Sequence, residues 1–186
     1  MKASLLFCSN KFIYYMRIEA YQRTYIEILD TIEQCIKDRR IITSLILLYS
    51  AIDSFSALVE TDGKKGRKVF EGWVRKWMLA KYPLNCNEVD IYSARCGLLH
   101  VQTPESDLSQ KKEAKELHYC YGEADTKILQ IAIDRNEINA VAIKIEDLVY
   151  SFRNGMADCL NDIYQDEQWQ KSVKVKSEKF FVNIPK

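Results

Sequence analysis

Residues 41–60 read IITSLILLYSAIDSFSALVE, and this segment sets the fold. Its apolar side chains recur at steps of three and four residues, the spacing of one helix face, at Ile41, Leu45, Leu48, Ile52, Phe55 and Val59. The most apolar part, residues 41–52, is about half of the ~20 residues that cross a membrane, and it contains hydroxyl side chains. We therefore predict a helix buried in a protein core, with no membrane association.

Apolar residues at helical spacing predict four more helices, over residues 17–37, 67–81, 87–101 and 146–168. Pro83 ends the third helix of the chain, because a residue before proline is disfavoured in the helical region. Asn87 is suited to cap the fourth, with Glu88 and Asp90 in its first turn.

Between about residues 115 and 145 the apolar period changes from helical spacing to two. Residues alternate in three runs, over 117–121, 129–133 and 141–145, and Asp134 to Glu137 forms a turn-like break. This predicts a mainly α protein, a four- to five-helix bundle with a small antiparallel β-meander inserted before its last helix. We expect one domain over residues 16–170, preceded by a lead-in (1–15) and followed by a basic tail (171–186), where Phe180 to Val182 is β-like.

Composition excludes several classes of protein. The chain has 186 residues, of which 47% are apolar and 28% charged, as in a globular domain and not a disordered one. A net charge of +1 points to no partner by itself. The six cysteines form no C-x-x-C pair, so we expect reduced thiols, no metal site, no cofactor and a cytoplasmic location.

The helix predicted over residues 87–101 has two distinct faces at about 100° per residue. One is a core stripe of Ile91, Ala94, Leu98 and Val101. The other, surplus to the core, carries Tyr92, Arg95, Cys96, Leu99 and His100. An apolar strip between Arg and His is typical of a buried contact or a substrate groove. Gly97 costs a helix about 1 kcal/mol relative to alanine, and such positions often allow a close backbone approach.

Arg95-Cys96-Gly97-Leu98-Leu99-His100 is an Arg-x4-His motif near the end of this helix. The motif resembles that of the HEPN superfamily of helical domains. The order of features is also similar, since Ala51-Ile52-Asp53 matches an acidic position in such domains, and an aromatic pattern, Phe70, Trp73 and Trp77, precedes the motif helix. The resemblance covers residues 17–101 and the last helix.

Many HEPN domains are metal-independent endoribonucleases or toxins, and many are dimeric. The resemblance therefore implies an endoribonuclease that acts as a toxin or defence effector, with RNA as substrate, a homodimer, and a neutralising protein partner. Its catalytic residues would be Arg95 and His100, supported by Asp53, Tyr92 and Cys96. Many members have a polar residue, often asparagine, where this chain has Cys96.

The chemistry of the two residue types agrees with RNA cleavage by the adjacent 2′-hydroxyl. Histidine supplies a proton acceptor near neutral pKa, and the planar fork of arginine suits phosphate oxygens. Arg95 and His100 are about 7.5 Å apart along the helix axis and splay, so we expect two copies of the helix to meet across a two-fold axis. Asp53 either orients one of the pair or forms a structural ion pair, and the second alternative is favoured.

A local excess of positive charge marks residues 63–82, which carry seven Lys or Arg against Glu71 alone. We predict that this segment contacts the RNA backbone through Lys64, Lys65, Arg67, Lys68, Arg75 and Lys76. The spacing of a P-loop is missing. Two other hypotheses stay open: a non-catalytic HEPN-like module that dimerises or binds RNA or protein through the same face, and a helical scaffold that uses its β-insert.

We predict that RNA cleavage persists in EDTA, because the sequence contains no Cys, His or carboxylate cluster at metal-ligand spacing. The measurement is cleavage of a labelled RNA with and without chelator. Loss of cleavage on chelation, restored by Mg²⁺ or Mn²⁺, would contradict it.

Overall fold

A computed structural model describes residues 22–178 of the chain. Within that range the protein is mainly helical, with one small sheet. The elements in chain order are α1 (22–37), α2 (Ile41–Val59), α3 (Arg67–Trp73, continued by a π-helical turn over Val74–Leu79), α4 (Glu88–Val101), α5 (Asp107–Gln110), β1 (Glu116–Cys120), α6 (Thr126–Arg135), β2 (Ala140–Lys144), α7 (Ile145–Gln165) and α8 (Glu167–Ser177). The predicted lead-in 1–15 and the β-like Phe180 to Val182 lie outside the described residues.

The helix α2 lies at the centre of the core, as its sequence predicts. It contacts α3, α4, α7 and α8, and it buries ten residues. Phe55 shows how closely it is enclosed, because its ring lies edge-on to Tyr25, Trp73 and Phe152, with centroids 5.2, 5.3 and 6.5 Å away. Such aromatic pairs add about 0.5–1.5 kcal/mol each beyond the area they bury. The position of α2 is therefore fixed from several sides.

By length and composition alone, α2 could also cross a membrane. Half of its most apolar window is buried inside the protein, and the core helix of a soluble protein passes the same test. The properties of α2 therefore do not test the expectation that the protein has no membrane association.

The π-helical turn after α3 packs closely against α7. A Cβ atom at Gly155 would lie 2.7 Å from the carbonyl oxygen of Trp77, so only glycine lets the two backbones approach this far. The Ser151 hydroxyl donates to the Tyr82 carbonyl oxygen at 3.1 Å, one turn earlier on α7. This contact joins the C-terminal half of the chain to the helices that precede the motif.

The predicted antiparallel meander is wrong. β1 and β2 run parallel, with Glu116 opposite Ala140 and Cys120 opposite Lys144, and the segment between them is the helix α6. Parallel strands need a crossover, which α6 supplies. Residues 129–133 of α6 alternate as a strand would, which is why a strand was predicted. Leu129 and Ile133 are also one helical turn apart, and in the helix both face the sheet.

The C-terminal part also differs from the prediction of one long last helix and a basic tail. α7 ends at Gln165, and Asp166 caps a separate helix α8 by accepting from the backbone N–H groups of Gln168 and Trp169, each at 2.9 Å. α8 packs against α2, where the indole N–H of Trp169 donates to the Val59 carbonyl oxygen at 2.5 Å. The described part of the tail is therefore folded onto the core helix.

We predict opposite effects of alanine at two helical glycines. Gly155→Ala should destabilise by about 1–3 kcal/mol, because its Cβ collides with the Trp77 carbonyl oxygen. Gly72→Ala, where no atom lies within 4 Å of an added Cβ, should stabilise by up to about 1 kcal/mol. Denaturant unfolding of both variants measures this, and equal effects would refute the close packing at Gly155.

Candidate active site

The start of α4 is fixed by a capping box. The Asn87 side-chain oxygen accepts from the N–H groups of Val89 and Asp90 at 2.8 and 3.0 Å, and Asp90 accepts from the Asn87 N–H at 2.9 Å. The second carboxylate oxygen of the buried Asp90 accepts from the Lys115 N–H at 2.7 Å. The predicted cap is confirmed, and it ties α4 to the chain just before β1.

The end of α4 depends on Gly97. A Cβ atom there would lie 2.6 Å from the Thr103 carbonyl oxygen and 2.5 Å from that of Glu105, so the chain after the helix folds back against glycine. The predicted close approach is confirmed. Ile91, Ala94 and Leu98 are buried as predicted, but Val101 is 61% exposed, because the last turn of α4 extends beyond the core.

Arg95 lies between Asp53 and His100 and contacts both. One guanidinium nitrogen, Nη2, donates to Asp53 Oδ2 at 2.7 Å, and the other, Nη1, lies 3.3 Å from His100 Nε2. The prediction that one helix converges Arg95 and His100 poorly is therefore wrong. The long Arg95 side chain runs along α4 and spans the separation of the two backbone positions.

The site is half open to solvent. The side chains of Arg95 and Asp53 are 19% and 40% exposed, and His100 is exposed. Burial opposes the charge on Arg95, but the hydrogen bond and the charge of Asp53 outweigh it and raise the pKa of Arg95. The guanidinium is thus a permanent positive charge at the mouth of the site. Because Asp53 is partly exposed, the ion pair adds little stability, about 1 kcal/mol or less.

Tyr92 and Cys96 pack beside Arg95. The Cys96 sulfur lies 4.0 Å from Arg95 Nη1, and the Tyr92 ring lies edge-on to Phe70 with centroids 5.5 Å apart. Burial, and then the neighbouring Cys96, raise the pKa of Tyr92. Tyr92 and Leu99 are partly buried against the core, so this face of α4 is less surplus than predicted.

The six predicted RNA-binding residues separate into two groups. Arg67 pairs with Glu71 at 2.6 Å, and Arg75 pairs with Glu88 at 2.6 Å. The other four line two adjoining cavities beside α2: Lys64, Lys65, Lys68 and Lys76. The first cavity, of about 370 Å³, has Asp53 in its wall, whereas Arg95 and His100 do not line it.

Sequence analysis missed several residues that complete these cavities. Glu60 borders both of them, Lys176 closes the first, and Trp169 closes the second. Lys176 Nζ also donates to the Ala57 carbonyl oxygen at 3.0 Å. The positive charge of the tail was the available signal, but nothing local showed that α8 returns to α2.

Within residues 22–178 no three His, Cys, Asp or Glu side chains gather as a metal site would require. The five described cysteines are free, and burial raises the pKa of Cys86 and of Cys159 to about 12. Comparisons of the chain with protein-family models, curated proteins and solved structures find no match.

We predict that Arg95→Ala and His100→Ala each change the free energy of unfolding by about 1 kcal/mol or less, because the first loses a partly exposed ion pair and the second an exposed ring. Leu98→Ala, on the buried stripe of the same helix, should cost about 2–5 kcal/mol. Thermal melts compare the three. If the first two melt as low as Leu98→Ala, the pair is structural.

Proposed function

We propose that this protein is a HEPN-like, metal-independent endoribonuclease that acts as a toxin or defence effector. One observation carries the proposal: the Arg95 guanidinium contacts both Asp53 and His100 within one chain, at the solvent edge of the core. A fixed positive fork and an exposed imidazole on adjacent turns are the two groups that RNA cleavage by a 2′-hydroxyl requires.

The contacts suggest how the three side chains divide the reaction. A guanidinium only donates, so Arg95 Nη1 donates to His100 Nε2 in the free protein. When a phosphate oxygen accepts from Nη1 instead, the Nε2 lone pair is free to take the 2′-hydroxyl proton. The 2′-oxygen then bonds to phosphorus, the bond to the 5′-oxygen breaks, and the 5′-oxygen takes a proton from solvent. Asp53 positions Arg95 and touches no reacting atom.

The supporting residues are compatible with this role. Cys96 occupies the position where many HEPN domains have a polar side chain, and it contacts Arg95 through sulfur. An amide at this position is not needed to hold Arg95, because Asp53 already accepts a hydrogen bond from its guanidinium.

The proposal includes finer features predicted from the sequence: a four- to five-helix bundle, a homodimer through α4, a neutralising protein partner and a cytoplasmic location. The exposed Val101 at the end of α4 favours the homodimer. The homodimer is not needed to bring Arg95 and His100 together, because these two side chains already meet within one chain.

The second candidate is a non-catalytic HEPN-like module that binds RNA or protein. Two lysines beside α2 favour it: Lys65 and Lys68 form no ion pair within residues 22–178, and they would hold RNA whether or not it is cut. The substitution of Cys96 for a polar residue points the same way.

We predict that Arg95→Ala lowers RNA cleavage by about 10²–10³-fold and His100→Ala by about 10²–10⁴-fold. The double variant should be little worse than either single one, because groups that serve one transition state are not additive. Rates of cleavage of one labelled RNA measure this.

The matched control is Arg135→Ala, which removes an exposed arginine from α6 and should cleave as wild type does. If the two single variants fold and cleave normally, the motif is a coincidence of spacing. If wild type does not cleave but binds RNA, the second candidate replaces the first.

A further inference from the structure

Two cavities adjoin along α2, and the wall of the first includes Asp53, the ion-pair partner of Arg95. The first, of about 370 Å³, is lined by Asp53 and Ala57 on α2, by the loop 60–66, and by α8. The second, of about 230 Å³, continues from it and ends at Trp169. Both cavities are bordered by Ser56, Glu60, Thr61, Lys64 and Val69, so they are neighbours, and together we call them the groove.

Positive charge lies along this groove. Five lysines line it against three acids, Asp53, Glu60 and Asp62. Lys64 is paired with Asp62 at 2.7 Å, whereas Lys65 and Lys68 form no ion pair with any residue in the described part of the chain. Unpaired lysines at the rim of a groove are suited to phosphates that remain partly hydrated.

The far end of the groove is aromatic. Lys76 Nζ lies 4.4 Å from the ring centroid of Trp77 and 5.6 Å from that of Trp169, and the two indoles are 6.0 Å apart. Aromatic rings along a positively charged groove are how proteins hold single-stranded nucleic acid without reading its sequence. Trp169 is partly exposed, and Trp77 is buried behind it.

We propose that the two cavities bind consecutive nucleotides of a single RNA strand that leads from Arg95 and His100 towards Trp169. The volume of the first is at the lower end of the range for pockets that enclose a small ligand, about 300–1,000 Å³, so it holds one nucleotide unit. The bases of a duplex stay stacked and paired and cannot enter such cavities. The substrate class is therefore single-stranded RNA.

The acidic residues in the groove determine which part of a nucleotide lies inside it and which part lies at its rim. Asp53 and Glu60 repel phosphate and can accept from the amino groups of a base, so the base lies inward and its phosphate lies at the rim near Lys65 and Lys68. Glu60 is held in place, because its carboxylate accepts from the Asp62 N–H at 2.6 Å. The positive φ of Gly63 and Gly66 keeps the loop turned around this opening.

The direction of the strand rests on the proposed function, but binding can be tested apart from cleavage. The probe is a ten-nucleotide RNA with 2′-O-methyl groups throughout, which cannot be cut by its own 2′-oxygen, and its affinity is measured by fluorescence anisotropy. Ala57→Phe fills the first cavity from an exposed position on α2. Ala132→Phe makes the same change at an exposed position on α6, outside the groove.

We expect Ala57→Phe to weaken binding by about tenfold or more, because one base loses its site, while Ala132→Phe binds as wild type does. Lys65→Ala should also weaken binding and should reduce the salt dependence by about one phosphate contact. The probe annealed to its complement should bind more weakly than the single strand.

The outcomes separate this inference from the proposed function. If wild type cleaves RNA through Arg95 and His100, yet Ala57→Phe binds the probe as tightly as wild type, the groove is not the path of the strand. Equal affinity for duplex and single strand would also overturn it. If the groove variants lose binding but wild type cuts no RNA, the strand path stands and the nuclease proposal fails.

Discussion

The ion pair between Asp53 and Arg95 connects the core to the surface of this protein. Asp53 belongs to α2 and stands two residues before Phe55, which is enclosed by three aromatic rings. Arg95 belongs to α4, which is tied at its start by a capping box. Because both backbones are fixed, Asp53 holds the guanidinium in a position where its Nη1 lies 3.3 Å from His100 Nε2. Its small contribution to stability is consistent with a role other than holding the fold.

Close backbone contacts at two glycines set the frame around that pair. At Gly97, three residues before His100, the chain returns against α4, and at Gly155 α7 meets the π-helical turn that follows α3. The lysine-bearing groove runs beside α2 and is closed by α8. The proposed chemical site and the proposed strand path therefore share one helix, and Asp53 is the residue common to both.

Much of this could be predicted from the sequence, and the exceptions have physical reasons. The long periodic helices, the Asn87 cap and the close approach at Gly97 follow from local rules of spacing and capping. The parallel β1–α6–β2 unit does not, because residues 129–133 alternate as a strand does and also place apolar residues one helical turn apart. The contact of Arg95 with His100 depends on a side-chain conformation, and the return of α8 depends on long-range packing, so neither is visible in local pattern.

The chemical form of the RNA ends tests the central claim most directly, because it reports which oxygen attacked phosphorus. Mass spectrometry of the products of a defined RNA, incubated with the full chain in EDTA, gives this without any variant. Attack by the 2′-oxygen, with Arg95 holding the phosphate and His100 taking the proton, leaves a 2′,3′-cyclic phosphate on one product and a 5′-hydroxyl on the other. Products with a 3′-hydroxyl and a 5′-phosphate would contradict the account.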